Sequence, residues 1–109
     1  MTYRIRILSP AENDVLEVVD WMANRFMAPR GAADWMLSLE RALKSVAAAP
    51  ESFGLAPEAE RTGRDLRQFF FKTRSGRTYR GLFRIEGDEV VILRVRGPGQ
   101  PPLELVDLQ

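Results

Sequence analysis

Polar and apolar positions alternate at the start of the chain, with Tyr3, Ile5 and Ile7 on one side of Arg4 and Arg6. A period of two predicts a half-buried strand over 4–8. Ser9-Pro10-Ala11-Glu12 follows and reads as a capping box, with Ser9 as the cap, Pro10 at the first helical position and Glu12 reaching back. The period then changes to that of a helix. At about 100° per residue, Val15, Val19, Met22 and Phe26 fall on one stripe of a helix over 10–26. Val18 and Trp21 widen the apolar arc on one side and Leu16 on the other. That arc is broader than the stripe a two-layer domain buries. Ala28-Pro29-Arg30-Gly31 interrupts the pattern. A second helix over 31–49 places Ala32, Met36, Leu39, Leu43 and Val46 on its core stripe and Trp35 at the stripe's edge. Leu37 shares a face with Asp34, Ser38 and Arg41 and is expected in solvent. Pro50 ends this helix, and the short break predicts an antiparallel helical hairpin.

Residues 51–63 read as a loop. Three strands follow over 66–73, 79–86 and 89–96, and Gly87-Asp88 reads as a two-residue hairpin turn. If Glu86 pairs with Glu89, then Ile85 faces Val90 and Phe83 faces Ile92, and these four pack beneath the helices. The other face would carry Arg80, Leu82, Arg84, Val91, Leu93 and Val95. Water rarely covers so much aliphatic surface in a monomer, so that face is expected to be covered. Gly97-Pro98-Gly99-Gln100-Pro101-Pro102 cannot continue a central strand and opens a Pro/Gly-rich tail over 97–109. The pattern predicts one α+β domain over 1–109, ordered β-α-α-β-β-β, with the strands forming one sheet packed on the helices.

The 109 residues suffice for one domain, and 45% hydrophobic content is that of a globular chain. There is no Cys and no His. Disulfide scaffolds, thiolate zinc sites, cysteine nucleophiles and His-based triads are therefore excluded. No apolar run approaches the roughly 20 residues of a membrane span. Met1–Arg6 does not read as a signal peptide, because Arg6 interrupts the apolar stretch. The expectation is a soluble cytoplasmic protein without metal or cofactor.

The net charge of +1 hides a strong asymmetry. Residues 1–60 carry six basic and nine acidic side chains, whereas 61–96 carry ten basic and four acidic. Arg61, Arg64, Arg67, Lys72, Arg74, Arg77, Arg80, Arg84, Arg94 and Arg96 thus crowd one three-stranded unit. Arginine matches phosphate through paired hydrogen bonds, and phosphate contacts dominate nucleic-acid affinity. Tyr79 and Phe69–Phe71 could add stacking. The competing reading is that the Phe run is core and the arginines pair with acidic groups. Glu86 and Glu89 flank a turn, where carboxylates are normally solvated. Asp14, Glu17 and Asp20 have the spacing of a wet helix face.

Asp65-Leu66-Arg67, Lys72 to Arg77, Tyr79-Arg80, Leu82-Phe83, Ile85-Glu86-Gly87-Asp88 and Val90 to Val95, after a strand, a capping sequence and a helical hairpin ending in Pro50-Glu51, resemble the RelE/ParE superfamily of bacterial toxins. The resemblance spans almost the whole chain. It implies a toxin of a type II toxin–antitoxin module, a plasmid-stabilisation protein neutralised by a cognate antitoxin. ParE-like members poison DNA gyrase; RelE-like members cut mRNA on the ribosome. Arg80 matches the arginine that contacts the scissile phosphate in RelE-like members, and Lys72 a lysine of the preceding strand. These two are the candidate catalytic residues. Arg74, Arg77, Arg84, Arg94 and Arg96 are candidates for target or nucleic-acid binding. Val18, Trp21, Trp35, Leu37, Leu82 and Leu93 are candidates for antitoxin contact or for closing a homodimer. The chain departs from the nuclease pattern after its last strand, where Gly97–Pro102 replaces an arginine followed by Tyr or His. In-line attack by a 2′-hydroxyl needs a proton acceptor, and no residue is an obvious base, though a lysine could serve if its pKa were depressed. The gyrase-directed mode is therefore favoured over the endoribonuclease, and a non-toxic partner-binding relative is the remaining alternative.

Overall fold

The computed structural model describes residues 2–108; Met1 and Gln109, the ends of the domain as read from the sequence, lie outside them. Strand β1 (Arg4–Ile7) leads into helix α1 (Ser9–Asp20), which passes into a π-helical turn over Trp21–Arg25. Helix α2 (Pro29–Ala48) completes the hairpin. A 3₁₀ turn over Pro50–Ser52 and a short helix α3 (Pro57–Thr62) precede β2 (Arg67–Phe71), β3 (Tyr79–Glu86) and β4 (Glu89–Arg96). A 3₁₀ turn over Leu105–Leu108 lies at the end of the tail. The sheet order is β1-β4-β3-β2. β1 runs parallel to β4 and the other pairs are antiparallel, so the sheet is mixed.

The β3–β4 hairpin has the expected register: Glu86 faces Glu89, Ile85 faces Val90 and Phe83 faces Ile92. Gly87 opens the turn at φ 57°, a conformation glycine adopts without a Cβ clash. Beyond Phe83 the register shifts, because Leu82 pairs with Arg94 and leaves Leu93 as an extra residue. This bulge inverts the alternation. Val95 therefore joins the core beneath the helices instead of the opposite face, contrary to the simple period of two.

Two cores result, one on each side of the sheet. Beneath α1 and α2 lie Trp35, Leu39, Val46, Phe69, Phe71, Phe83, Val90 and Ile92. Across the sheet lie Leu66, Leu82, Val91, Leu93, Leu103 and Leu108 with Ala56. The covering of the second face comes from the chain itself, through the tail and the α3 region.

Several expectations are corrected. Trp35 is not an edge residue but the largest buried side chain, 1% exposed, and it packs on Phe71 and Tyr79 at ring-centroid distances of 5.3 Å. Leu82 and Leu93 are interior, held under Leu103 and Leu108, so none of these three offers a contact surface to a partner. Ser9 does not cap α1; Leu8 holds the cap position, no side chain bonds there, and Pro10 lies in the first turn. Phe26 leaves the predicted stripe, because the π-helical turn rotates it outward. The predicted strand over 66–73 is shorter, and the predicted loop contains α3. Leu37 is exposed, as its position predicts.

Candidate functional site

The ten basic residues of 61–96 separate into two sets. The first is bonded within the chain, the Arg61 and Arg84 pairs at the surface and the others partly buried. The Arg94 guanidinium grips Asp14 with both arms, Nε to Oδ2 at 2.7 Å and Nη2 to Oδ1 at 2.9 Å, and Asp14 also accepts the Val95 amide at 2.9 Å. Asp14 therefore ties α1 to β4 rather than lining a wet face. Asp14 and the charges of Asp107 and Glu17 raise the Arg94 pKa against the opposing effect of burial. Arg84 pairs with Glu86 at 3.0 Å, and Arg61 with Glu104 at 3.4 Å. Arg67 donates to the Phe53 carbonyl at 2.7 Å, and Arg96 to the Pro101 carbonyl at 2.9 Å. Burial, with the neighbouring charges of Arg94 and Arg80, pushes the Arg96 pKa down.

Arg80 is the most constrained member of this set. Its guanidinium meets the Glu58 carboxylate with both arms, Nη1 to Oε1 at 3.0 Å and Nη2 to Oε2. Gln68 Oε1 accepts a further bond at 3.3 Å. Glu58 is completely buried and also accepts the Leu103 amide at 2.9 Å. One carboxylate from α3 thus joins β3 to the tail. Sequence reading missed Glu58 by assigning its segment to a loop. Pro57 at the start and Gly63 just beyond the end, at φ 68°, are the helix signal that was present.

The second set is unpaired. Arg64, Lys72, Arg74 and Arg77 take part in no ion pair among the described residues. Lys72 and Arg74 line a cleft of about 330 Å³ between α2 and the β2–β3 turn, with Asp34, Leu37 and Arg41. Arg80 is not part of that cleft, so the two candidate catalytic cations are not brought together there. Of the proposed stacking residues, Phe69 and Phe71 are core and Phe70 is exposed. Tyr79 is half-buried against Trp35, and burial raises its pKa against the opposing charge of Arg77. Val18 is half-exposed and Trp21 exposed; both line a second cleft, of about 510 Å³, with Arg77 and Tyr79.

A third cleft, about 320 Å³, is apolar. Ile7, Val15, Leu16, Met36 and Leu43 line it between the two helices beside the edge strand β1. Among the described residues no group of three acidic side chains could hold a metal ion, and no helix is long and apolar enough to cross a membrane.

The fold matches solved structures. The chain is similar to a chain in the chromosomal ParDE toxin–antitoxin system of P. aeruginosa, at 18% identity and a TM-score of 0.65, covering 88% of this chain and 96% of that one. It is also similar to a chain of the RelBE2 toxin–antitoxin complex from Mycobacterium tuberculosis, at 27% identity and a TM-score of 0.52, covering 89% and 99%. No curated protein matches the sequence significantly. The family model described as the ParE toxin of the type II toxin–antitoxin system parDE matches residues 5–100, and the chain belongs to that family.

Proposed function

We propose that this ParE-family toxin inhibits growth by acting on DNA gyrase, that a cognate antitoxin neutralises it, and that it is not a ribosome-dependent nuclease. The observation that carries this reading is the commitment of Arg80 to Glu58. In a nuclease that arginine must be free to meet a phosphate. Here both arms are held by a buried carboxylate under the tail. Gly97–Pro102 supplies no acid or base after β4, and Lys72 lies in a cleft that Arg80 does not share. The solved relatives are toxin–antitoxin complexes, which supports an antitoxin as partner. The apolar cleft between α1 and α2 suits the apolar stripe of an amphipathic antitoxin segment. Because the tail covers the second sheet face, that face no longer argues for a homodimer.

The test is induction of the full chain alone in bacteria, with thymidine and amino-acid incorporation followed in parallel. An early fall in thymidine incorporation is expected. An early collapse of amino-acid incorporation would overturn the gyrase reading in favour of the nuclease. Unimpaired incorporation of both would leave the chain a non-toxic partner-binding relative.

A further inference from the structure

The tip of the helical hairpin holds apolar surface that neither core uses. Trp21, Phe26 and Met27 are 45%, 61% and 80% exposed. Residues five apart stand roughly 140° apart around an α-helix and do not meet. The π-helical turn changes that: the Phe26 amide bonds to the Trp21 carbonyl at 3.1 Å, and the two rings meet edge to face at 4.3 Å. Met27 follows at φ 52°, the only non-glycine residue with positive φ among the described residues. The Ala28 amide, bonded to the Met22 carbonyl at 3.0 Å, closes the turn. π-turns and non-glycine residues in the left-handed region are both enriched at functional sites, and here they stand side by side.

Two clefts meet at Trp21. One, of about 610 Å³, runs from Phe26 to the β2–β3 turn at Thr73 and Gly76. The other, of about 510 Å³, runs to Tyr79 and Pro98 and includes Arg77 and Glu17. The segments bordering the tip, 21–33 and 73–79, contain no acidic residue; the carboxylates close by are Asp20, before Trp21, and Asp14 and Glu17 at the far side of the second cleft, where Asp14 is held by Arg94. Arg25, Arg30, Arg74 and Arg77 lie in them without an ion-pair partner among the described residues. Trp and Arg are the residues that most often carry binding energy at protein interfaces, and Met adapts to an apolar partner.

We infer that this tip is the surface by which the toxin docks on its target, and that the matching surface is an acidic patch on a protein, with apolar side chains entering the clefts beside Trp21. The inference rests on the toxin reading above but not on which target is correct. A second copy of the chain fits poorly, since like charges would face each other. A nucleic acid fits less well than a protein, because Trp21 and Phe26 pack edge to face and do not form a platform of open ring faces.

The test compares two variants of the full chain, induced without antitoxin and also purified: W21A/F26A and R25E/R30E/R77E. Both are expected to lose growth inhibition, with inhibitory potency reduced about 30-fold or more, while the thermal midpoint is unchanged. If W21A/F26A melts early, Met27→Glu, at a residue in neither core, replaces it and is expected to lose inhibition as well. Full toxicity in both variants overturns the inference. Loss confined to the charge variant overturns it in favour of nucleic acid. A wild-type dimer that W21A/F26A dissociates overturns it in favour of self-association. Growth arrest by the wild type without any effect on gyrase would refute the gyrase reading alone, and the variant comparison would still decide the surface.

Discussion

The Glu58 carboxylate, with no exposure to solvent, holds both arms of the Arg80 guanidinium and the Leu103 amide. Removing one partner of a buried ion pair leaves an uncompensated charge and costs about 3–5 kcal/mol. Arg80→Ala should fall in that range, because Glu58 lies deeper than its partner. Glu58→Gln should cost somewhat less, since the amide oxygen still accepts a bond and Arg80 reaches water. Replacing both with leucine should cost less than either single change. Urea denaturation of the three variants checks the order.

The same double substitution separates structure from catalysis. If Arg80 serves the fold, E58L/R80L keeps growth inhibition. If Arg80 contacts a scissile phosphate, the double variant folds but is inactive. Colony counts after induction, read beside the melting curve, distinguish these results.

Stability should depend on Glu58 in acid. Burial pushes its pKa up, but the hydrogen bonds from Arg80 and Leu103 and the Arg80 charge outweigh that and hold it below its ordinary value. A carboxyl lowered in the folded state contributes fully above its unfolded pKa, about 4.3, and that contribution is lost as pH falls through the folded value. The urea midpoint of the wild type should be flat from neutrality to about pH 5 and fall below about pH 4. Glu58→Gln should show a shallower acid limb. Asp88 is lowered in the same direction by Arg4, but both side chains are largely in water, so Arg4→Ala should leave the acid limb almost unchanged.

The two cores predict different costs. Trp35→Ala should destabilise by about 3–5 kcal/mol. Trp35→Phe should cost less, because the indole Nε1–H is buried with no hydrogen-bond partner among the described residues. Leu103→Ala should cost about 2–5 kcal/mol if the tail is as much a part of the fold as its burial indicates. A tail that contributes nothing would leave the melting temperature unchanged.

Gly81 is fixed by close approach rather than by a turn. A Cβ there would stand 2.2 Å from the buried ring of Phe69. Gly81→Ala should therefore destabilise by about 1–3 kcal/mol, whereas Gly54→Ala, with no atom within 4 Å of the added Cβ, should be near neutral in thermal melts.

The alternation in β3 and β4 made their ends and register legible, because Gly87-Asp88 fixes the turn and each face repeats every second residue. The bulge at Leu93 left no such mark, and with it went the correct face for Val95. The stripe of the first helix was legible as far as Met22, which still packs on the core. The π-turn over Trp21–Arg25 then added a residue to the 3.6-residue period, and Phe26 left the stripe. The basic character of 61–96 was plain in the sequence, but its partners were not. Asp14 meets Arg94 across 80 positions and Glu58 meets Arg80 across 22. Such pairs are set by tertiary approach, which local pattern does not encode. The resemblance to a toxin family came from short motifs along nearly the whole chain, and the family match over residues 5–100 agrees with it.

A toxin whose strand arginine is committed to Glu58 is proposed to act on gyrase and not to cut mRNA. The most direct measurement sets the purified full chain against two substrates in parallel: DNA gyrase supercoiling a relaxed plasmid, and mRNA on programmed ribosomes. Dose-dependent loss of supercoiling with the message intact is expected. Cleaved message with unimpaired supercoiling would contradict it.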